Sequence, residues 1–123
     1  DLPYPIVRKL LGKDKIIGLS VETVQQAREA NELDVDYIGL SPVFSTHTKL
    51  DINEPLGLTG VKEIASFTKH QTVAIGGVNS SNTERIINNG ADGIAVISAI
   101  VSQDSPKDAA RTLRAIVDKA KQQ

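Results

Sequence analysis

The sequence predicts an α/β protein in which four parallel strands alternate with helices. Short apolar runs that are typical of buried strands are each followed by a stretch in which apolar residues recur at helical spacing. Strict alternation of this kind favours a parallel sheet with right-handed crossover connections. Aromatic residues are only 3% of the chain, so the core must consist of Ile, Val, Leu and Ala. That composition suits β-branched strands covered by helices with small side chains.

The strands are predicted where apolar residues run together. They cover residues 15–20, 37–40, 72–75 and 93–97. Pro42 ends the second strand, because proline has no backbone N–H to donate to a sheet. The pair Gly76-Gly77 closes the third strand. The connection over residues 41–57 is long and irregular, and loops of that length in compact domains are usually functional or disordered.

The helices are predicted where apolar residues fall on one face of a 3.6-residue period. They cover residues 5–11, 21–33 and 59–67, a segment that ends before Gly90, and a segment from Pro106 onwards. Gly12 and Gly90 end the first and the fourth helix, since glycine readily adopts the left-handed conformation found there. Ser80 or Ser81 caps the fourth helix, and Pro106 is a favoured residue in the first turn of the last one.

Four strands do not close a barrel, because a (β/α)₈ barrel needs eight strands and roughly 200 residues or more. The chain has 123 residues and contains no methionine. The sequence therefore looks like half of a larger fold, and we expect residues 1–123 to be a single partial domain that belongs to a longer polypeptide.

Two segments of the sequence resemble each other. Residues 35–40 read VDYIGL and residues 91–96 read ADGIAV, so that Asp36 and Asp92 each stand just ahead of a buried strand. A repeated βα unit would explain the similarity, and so would a turn that is used twice.

Composition excludes several classes of function. With 14 basic and 15 acidic residues the net charge is −1, which gives no electrostatic footprint for nucleic acid or an anionic membrane. No apolar run approaches the ~20 residues that span a bilayer. The absence of cysteine excludes a disulfide framework and a thiolate metal site. Neither histidine has a partner at metal-ligand spacing, and no Ser/His/Asp nucleophile set is visible.

The candidate functional residues follow the carboxyl ends of the predicted strands, the edge at which parallel α/β proteins bind ligands. They are Ser20, the turn residues Thr46, Thr48 and Lys49, the pair Gly76-Gly77, and Ser98. Two hydroxyls and an ammonium can supply several donors and a positive charge to one anion. A Gly-Gly turn before a helix lets backbone N–H groups approach a phosphate. Taken singly, each is also explained as a solvated loop, a tight turn or an N-cap.

Asp1 is a candidate ligand for a hard cation. Such cations, Mg²⁺ among them, prefer carboxylate oxygens. A solvated carboxylate at the start of the chain is the simpler explanation.

Three motifs together resemble thiamine phosphate synthase. They are SPVFSTHTK at residues 41–49, AIGGV at residues 74–78 and GADGIAVISAI at residues 90–100. The similarity runs in order along the whole chain but covers only the C-terminal half or so of the family's length. The resemblance implies the C-terminal half of a TIM barrel. It also implies a cytoplasmic transferase that joins hydroxymethylpyrimidine diphosphate to a thiazole phosphate and releases pyrophosphate with the help of Mg²⁺.

The resemblance also implies roles for single residues. Asp1 matches the second of two carboxylates that bind Mg²⁺, and Ser20 and Lys49 match contacts to the pyrophosphate. The contacts to the thiazole phosphate are matched by Thr46, Thr48, Gly77, Ile97 and Ser98. Stabilisation of the leaving pyrophosphate by Mg²⁺ and Lys49 would then carry most of the catalysis, without a protein nucleophile. We expect this chain alone to be inactive, because the other carboxylate and the pyrimidine-binding residues belong to the missing half.

Two alternatives remain open. One is a thiazole tautomerase-like isomerase, but in that group a histidine stands at the position of Ser41 and the T-x-T-K pattern is absent. The other is a non-catalytic phosphate-binding half-barrel that forms a homo-oligomer or pairs with a second half-barrel through its exposed sheet edges.

Overall fold

The structure, a computed structural model, describes residues 4–12, 14–44, 55–96 and 98–122. These residues contain one four-stranded sheet with the order β1-β2-β3-β4, and every neighbouring pair is parallel. The strands are β1 (Gly18–Val21), β2 (Tyr37–Leu40), β3 (Gln71–Ile75) and β4 (Gly93–Ala95). The predicted parallel α/β fold is confirmed.

Helices precede, separate and follow the strands. They are α1 (Tyr4–Leu11), α2 (Val24–Ala30), α3 (Gly57–Phe67), α4 (Thr83–Asn88), α5 (Ser98–Val101) and α6 (Pro106–Lys121). Among the described residues, no helix is both long enough and apolar enough to cross a membrane.

The first strand lies later in the chain than its apolar pattern predicts. Strand β1 begins at Gly18, where it pairs with Tyr37 at the start of β2, and Ile16 before it is 80% exposed. It extends to Val21, which is fully buried and was predicted to open the following helix. Helix α2 begins after Thr23 instead, whose hydroxyl accepts a hydrogen bond from the Gln26 N–H at 3.0 Å.

Strand β4 is shorter than the predicted 93–97. It ends at Ala95, opposite Ile75, because its partner β3 ends there. The four-residue helix α5 then follows, which the sequence did not predict since a single turn is too short to show periodicity.

Two helix starts also differ from the prediction. Helix α3 begins at Gly57 rather than Thr59, and the Gly57 N–H donates to the Val43 carbonyl at 2.7 Å. The N-cap of α4 is Asn82 rather than Ser80 or Ser81.

The core lies between the sheet and the helices that cover it. Its largest fully buried side chains include Ile38 and Leu40 on β2, Val61 and Ile64 on α3, and Ile86 on α4. Full burial of one such side chain stabilises the fold by about 1.5–3 kcal/mol. The predicted aliphatic core is therefore confirmed.

The same turn is used twice at the amino ends of the strands. The Asp36 carboxylate accepts from the Ile17 N–H at 2.6 Å, and the Asp92 carboxylate accepts from the Thr72 N–H at 2.8 Å. In the other direction, the Asp36 N–H donates to the Ile17 carbonyl and the Asp92 N–H to the Thr72 carbonyl. The similarity between residues 35–40 and 91–96 thus corresponds to one local geometry that fixes the register of two strand pairs.

Arg8 attaches α1 to the first of these turns. Its guanidinium donates to the Lys15 carbonyl at 2.8 Å, to the Asp34 carbonyl at 3.2 Å and to the Asp36 carboxylate at 3.1 Å. The hydrogen bond from the Ile17 N–H, followed by the one from Arg8, holds the pKa of Asp36 below its usual value.

Candidate functional site

A cavity of about 590 Å³ opens at the carboxyl ends of β3 and β4. One wall consists of residues 75–79, and the other consists of Ala95, Val96, Ala99, Ser102 and Gln103. Much of the first wall is backbone, because two of its residues are glycines. The cavity lies where the sequence predicted ligand binding, at the ends of the last two strands.

Gly76 and Gly77 are required by the shape of this wall. Their φ angles are +97° and +69°, in the region that side chains rarely adopt. A Cβ atom on Gly76 would lie 2.9 Å from Pro42 Cα, and one on Gly77 would lie 2.8 Å from Phe44 Cβ. Both glycines therefore allow the chain to turn after β3, and they also allow this turn to lie close to the segment of residues 42–44.

The segment after β2 provides that close approach. The peptide bond between Ser41 and Pro42 is cis. The Val43 N–H donates to the Ile75 carbonyl at 2.9 Å, and the Phe44 N–H donates to the Gly76 carbonyl at 3.1 Å. Backbone hydrogen bonds thus bring the chain that follows β2 against the glycine turn that follows β3.

Asn82 fixes the glycine turn from the other side. Its side-chain Nδ2 donates to the Gly77 carbonyl at 2.8 Å, and its Oδ1 accepts from the Asn79 N–H at 3.0 Å. The Thr83 hydroxyl donates to the Asn79 carbonyl at 2.6 Å, so Asn79 is held at both ends of its backbone. Helix α4 starts at Thr83, slightly later than the predicted caps Ser80 or Ser81 imply, so its N-terminus does not adjoin the glycines.

Asn82 is not among the residues predicted from the sequence. The side chain is buried, with 8% of the residue exposed, and it bonds only backbone groups of the turn. Asparagine, like serine and aspartate, folds back onto the nearby backbone in turns. The N-x-x-N spacing directly after Gly-Gly-Val was therefore the signal that could have found it.

Two backbone donors in the turn have no partner among the described residues. The N–H groups of Gly77 and Val78 donate to no described oxygen, whereas the next N–H, that of Asn79, is taken by Asn82. Both residues line the cavity. Neighbouring backbone N–H groups of this kind can bind an anion without any charged side chain.

Ser20 is placed at the same edge of the sheet but on other strands. It pairs with Gly39 on β2, which in turn pairs with Val73 on β3. Two strand spacings, about 10 Å, therefore separate Ser20 from β3. Ser20 is exposed and lies on the face opposite to that of the buried Val21. It is available to a ligand, but it does not adjoin Gly77.

The other predicted site residues are not placed by the structure. Asp1, Thr46, Thr48, Lys49 and Ile97 lie outside the described residues. Ser98 begins α5, and only its backbone is described. Within the described ranges no group of three or more His, Asp or Glu residues could hold a metal ion. The described residues therefore do not fit Mg²⁺ by themselves.

The parallel sheet, the covering helices and the cavity beyond the last two strands define a protein of the (β/α)-barrel type. The family model described as thiamine monophosphate synthase matches residues 1–100. The chain belongs to this family.

Curated relatives extend the match along the chain. The thiamine-phosphate synthase of Clostridium novyi (strain NT) is 48% identical over 113 residues, which cover 92% of this chain and 55% of the relative. That of Moorella thermoacetica is 43% identical over 121 residues, which cover 98% of this chain and 58% of the relative. The chain thus spans about half the length of the relatives it matches.

A solved structure shows the same arrangement of elements. The thiamine phosphate pyrophosphorylase from Pyrococcus furiosus superposes with a TM-score of 0.87 at 35% identity. The superposition covers 98% of this chain and 56% of the other. The four strands described here are therefore part of a barrel-type fold.

Proposed function

We propose that this chain is the carboxyl-terminal half of a thiamine phosphate synthase and supplies its phosphate-binding strand ends. The reaction joins hydroxymethylpyrimidine diphosphate to a thiazole phosphate and gives thiamine phosphate and pyrophosphate. The observation that carries the proposal is the cavity beside Gly77, whose wall offers two backbone donors, in a chain that belongs to this family. A phosphate seated there needs no charged partner from the described residues.

The two substrates would occupy different parts of the strand-end edge. The thiazole phosphate binds at the Gly77 turn, with Thr46, Thr48, Ile97 and Ser98 as its further contacts. The diphosphate binds on the β1 side, where Ser20 is exposed and two strands away from β3. This separation supports the division of roles, because both substrates must be bound together before they react.

In this reaction the protein contributes mainly by stabilising charge and by positioning the substrates. The bond between the pyrimidine methylene carbon and the pyrophosphate oxygen breaks, and the carbon joins the thiazole nitrogen. Negative charge then collects on the leaving pyrophosphate. In our proposal the Lys49 ammonium and the Ser20 hydroxyl stabilise that charge, which is the kind of contribution that dominates such reactions.

Mg²⁺ is the cofactor we propose, with Asp1 as one ligand. When bound, it neutralises charge on the diphosphate. Its other carboxylate ligand would have to come from the part of the barrel that this sequence does not contain, consistent with the lack of an acidic cluster among the described residues.

We propose that the protein acts in the cytoplasm and that its partners are small-molecule substrates. We propose neither nucleic acid nor a membrane as a partner. Strands β1 and β4 lie at the edges of the described sheet. Unpaired edges of this kind favour pairing with another half-barrel or with a second copy.

A chimera tests the proposal. In the Clostridium novyi enzyme, the matching segment is replaced by this chain, and thiamine phosphate formation is measured with both substrates and Mg²⁺. We expect turnover, and we expect Lys49→Ala in the chimera to lower kcat/KM by about tenfold or more, because one charge-stabilising group is lost. Lys62→Ala, on the exposed side of α3, is the control and should leave the rate unchanged. A folded chimera with no turnover, or full turnover in Lys49→Ala, would contradict the proposal.

A further inference from the structure

We propose that Asn82 is a positioning residue for phosphate binding: its side-chain amide holds residues 77–79 so that the Gly77 and Val78 N–H groups are left to an anion in the cavity. This inference rests on the proposed function, since it concerns the turn at which the thiazole phosphate would bind. Asn82 itself would not touch the phosphate.

The amide group of Asn82 holds the turn at two points. It donates to the Gly77 carbonyl at 2.8 Å and accepts from the Asn79 N–H at 3.0 Å. Donor and acceptor stand on one planar group, so the two points on the turn cannot move independently of each other. Asn82 is 8% exposed, and water therefore competes little for either hydrogen bond.

The first hydrogen bond sets the direction of the Val78 N–H. Among the described peptide bonds only Ser41–Pro42 is cis, so the bond between Gly77 and Val78 is trans. In a trans peptide the carbonyl and the following N–H point in opposite directions. Because the Gly77 carbonyl points to Asn82, the Val78 N–H points away from Asn82.

The second hydrogen bond determines which donors remain. Asn82 takes the Asn79 N–H, while the N–H groups of Gly77 and Val78 donate to no described oxygen. Gly77 and Val78 both line the cavity. Asn82 thus divides three successive N–H groups into one that is used internally and two that are left for a ligand.

The start of α4 is bonded to the turn through Thr83 as well as through Asn82. The effect of Asn82 on the direction of the N–H groups can therefore be separated from an effect on the folding of α4. The fully buried Thr83 donates its hydroxyl to the Asn79 carbonyl at 2.6 Å, and its N–H donates to the same carbonyl at 3.1 Å. These bonds do not involve the Asn82 side chain. Loss of that side chain should therefore free the Gly77 carbonyl while Asn79 and α4 stay in place.

The experiment is a titration of the ¹⁵N-labelled chimera, which contains this chain together with the rest of the barrel, with inorganic phosphate, followed through the amide signals of Gly77 and Val78. Asn82→Ala is compared with the parent and with Asn89→Ala. The Asn89 side chain bonds only the Arg85 carbonyl, at 2.7 Å near the other end of α4, so this change removes the same amide group away from the turn. We expect phosphate to bind about tenfold more weakly to Asn82→Ala, because the Val78 N–H loses its fixed direction while the Gly77 N–H keeps the one set by the Gly76 carbonyl and Phe44, and unchanged binding to Asn89→Ala.

Hydrogen exchange supplies a second readout. The Asn79 amide should exchange faster in Asn82→Ala than in the parent, since its acceptor is gone, and should be unaffected in Asn89→Ala. If Asn82→Ala does not fold, Asn82→Ser replaces it. The serine oxygen can still accept from the Asn79 N–H but does not reach the Gly77 carbonyl, and binding should again weaken.

The outcomes separate this inference from the proposed function. Equal phosphate affinity in the parent and in a folded Asn82 variant would overturn the positioning role and leave the phosphate site intact. If phosphate does not shift the Gly77 and Val78 signals of the parent chimera, both the site at this turn and the role of Asn82 are overturned.

Discussion

At the amino ends of the strands, side-chain carboxylates accept hydrogen bonds from the backbone of the sheet. At the carboxyl ends, the backbone itself forms the wall of a cavity. Asp36 accepts a hydrogen bond from the N–H of Ile17, just before β1, and Asp92 accepts one from the N–H of Thr72, near the start of β3. At the other end, Gly76 and Gly77 remove side chains where two chain segments meet. The amino end is thus satisfied internally, while the carboxyl end keeps two N–H groups that donate to no described residue, beside an open space. This division between stability and binding is typical of parallel barrel-type folds.

The largest effect is expected from Gly76→Ala. The new Cβ would meet the Pro42 backbone at 2.9 Å in a residue with φ at +97°. Left-handed strain and overpacking together should lower the free energy of unfolding by about 2–5 kcal/mol. The loss in the free energy of unfolding is measured by urea denaturation. Gly57→Ala is the control, because its φ is +67° but no atom of the described residues lies within 4 Å of its Cβ, and it should cost only about 1 kcal/mol. If Gly76→Ala and Gly57→Ala lose the same free energy of unfolding, the close approach of Gly76 to Pro42 does not add to the cost of the substitution.

An intermediate effect is expected at the amino end, from Asp92→Ala. The change leaves the Thr72 N–H without its carboxylate acceptor, and Thr72 is 1% exposed. An unsatisfied buried donor of this kind should cost about 1–2 kcal/mol of unfolding free energy. Asp104→Ala, an exposed carboxylate in the loop before α6, should change it little. Phosphate affinity should be the same in both variants, and a marked loss in Asp92→Ala would break the division between the two ends.

The smallest effect is a pH dependence at Asp36. Its pKa in the folded chain is lowered by the hydrogen bond from the Ile17 N–H and then by Arg8. The stabilisation is therefore fully present above the unfolded pKa, about 3.9. It is lost as the pH falls through the lower folded pKa. The urea midpoint of Asp36→Asn should lie below that of the parent at pH 7, and the two should converge as the pH falls through the folded pKa of Asp36. A difference that does not change with pH would show that the charge of Asp36 is not involved.

Much of the fold could be predicted from local sequence, and the reason is visible in particular elements. Strand β2 has the predicted bounds, and α6 begins at the predicted Pro106 with Ser105 as its N-cap. In both, the deciding signals lie within the element. The bounds of β1 and β4 depend instead on where their partner strands start and stop, which no local pattern contains.

The candidate site was predictable only in outline. The strand-end position of the Gly76-Gly77 turn followed from the predicted parallel fold. The need for glycine there comes from residues 42–44, more than thirty positions earlier in the chain, and could not be seen before folding. Asn82 was overlooked because the N-x-x-N spacing that marks it also fits an ordinary turn, and the burial of its amide against the backbone of the turn arises only on folding. For Thr46, Thr48, Lys49, Ile97, Ser98 and Asp1, the roles implied by resemblance remain predictions.

The most direct test of a binding end and a stabilising end is a map of amide shifts in the ¹⁵N-labelled chimera on addition of the thiazole phosphate. We expect the largest shifts at Gly77 and Val78, with saturation at a defined affinity, and none at Ile17 or Thr72 on the amino end. The thiazole alcohol without its phosphate should shift Gly77 and Val78 far less. Shifts concentrated at the amino end, or equal shifts with the alcohol, would contradict phosphate binding at the carboxyl ends of β3 and β4.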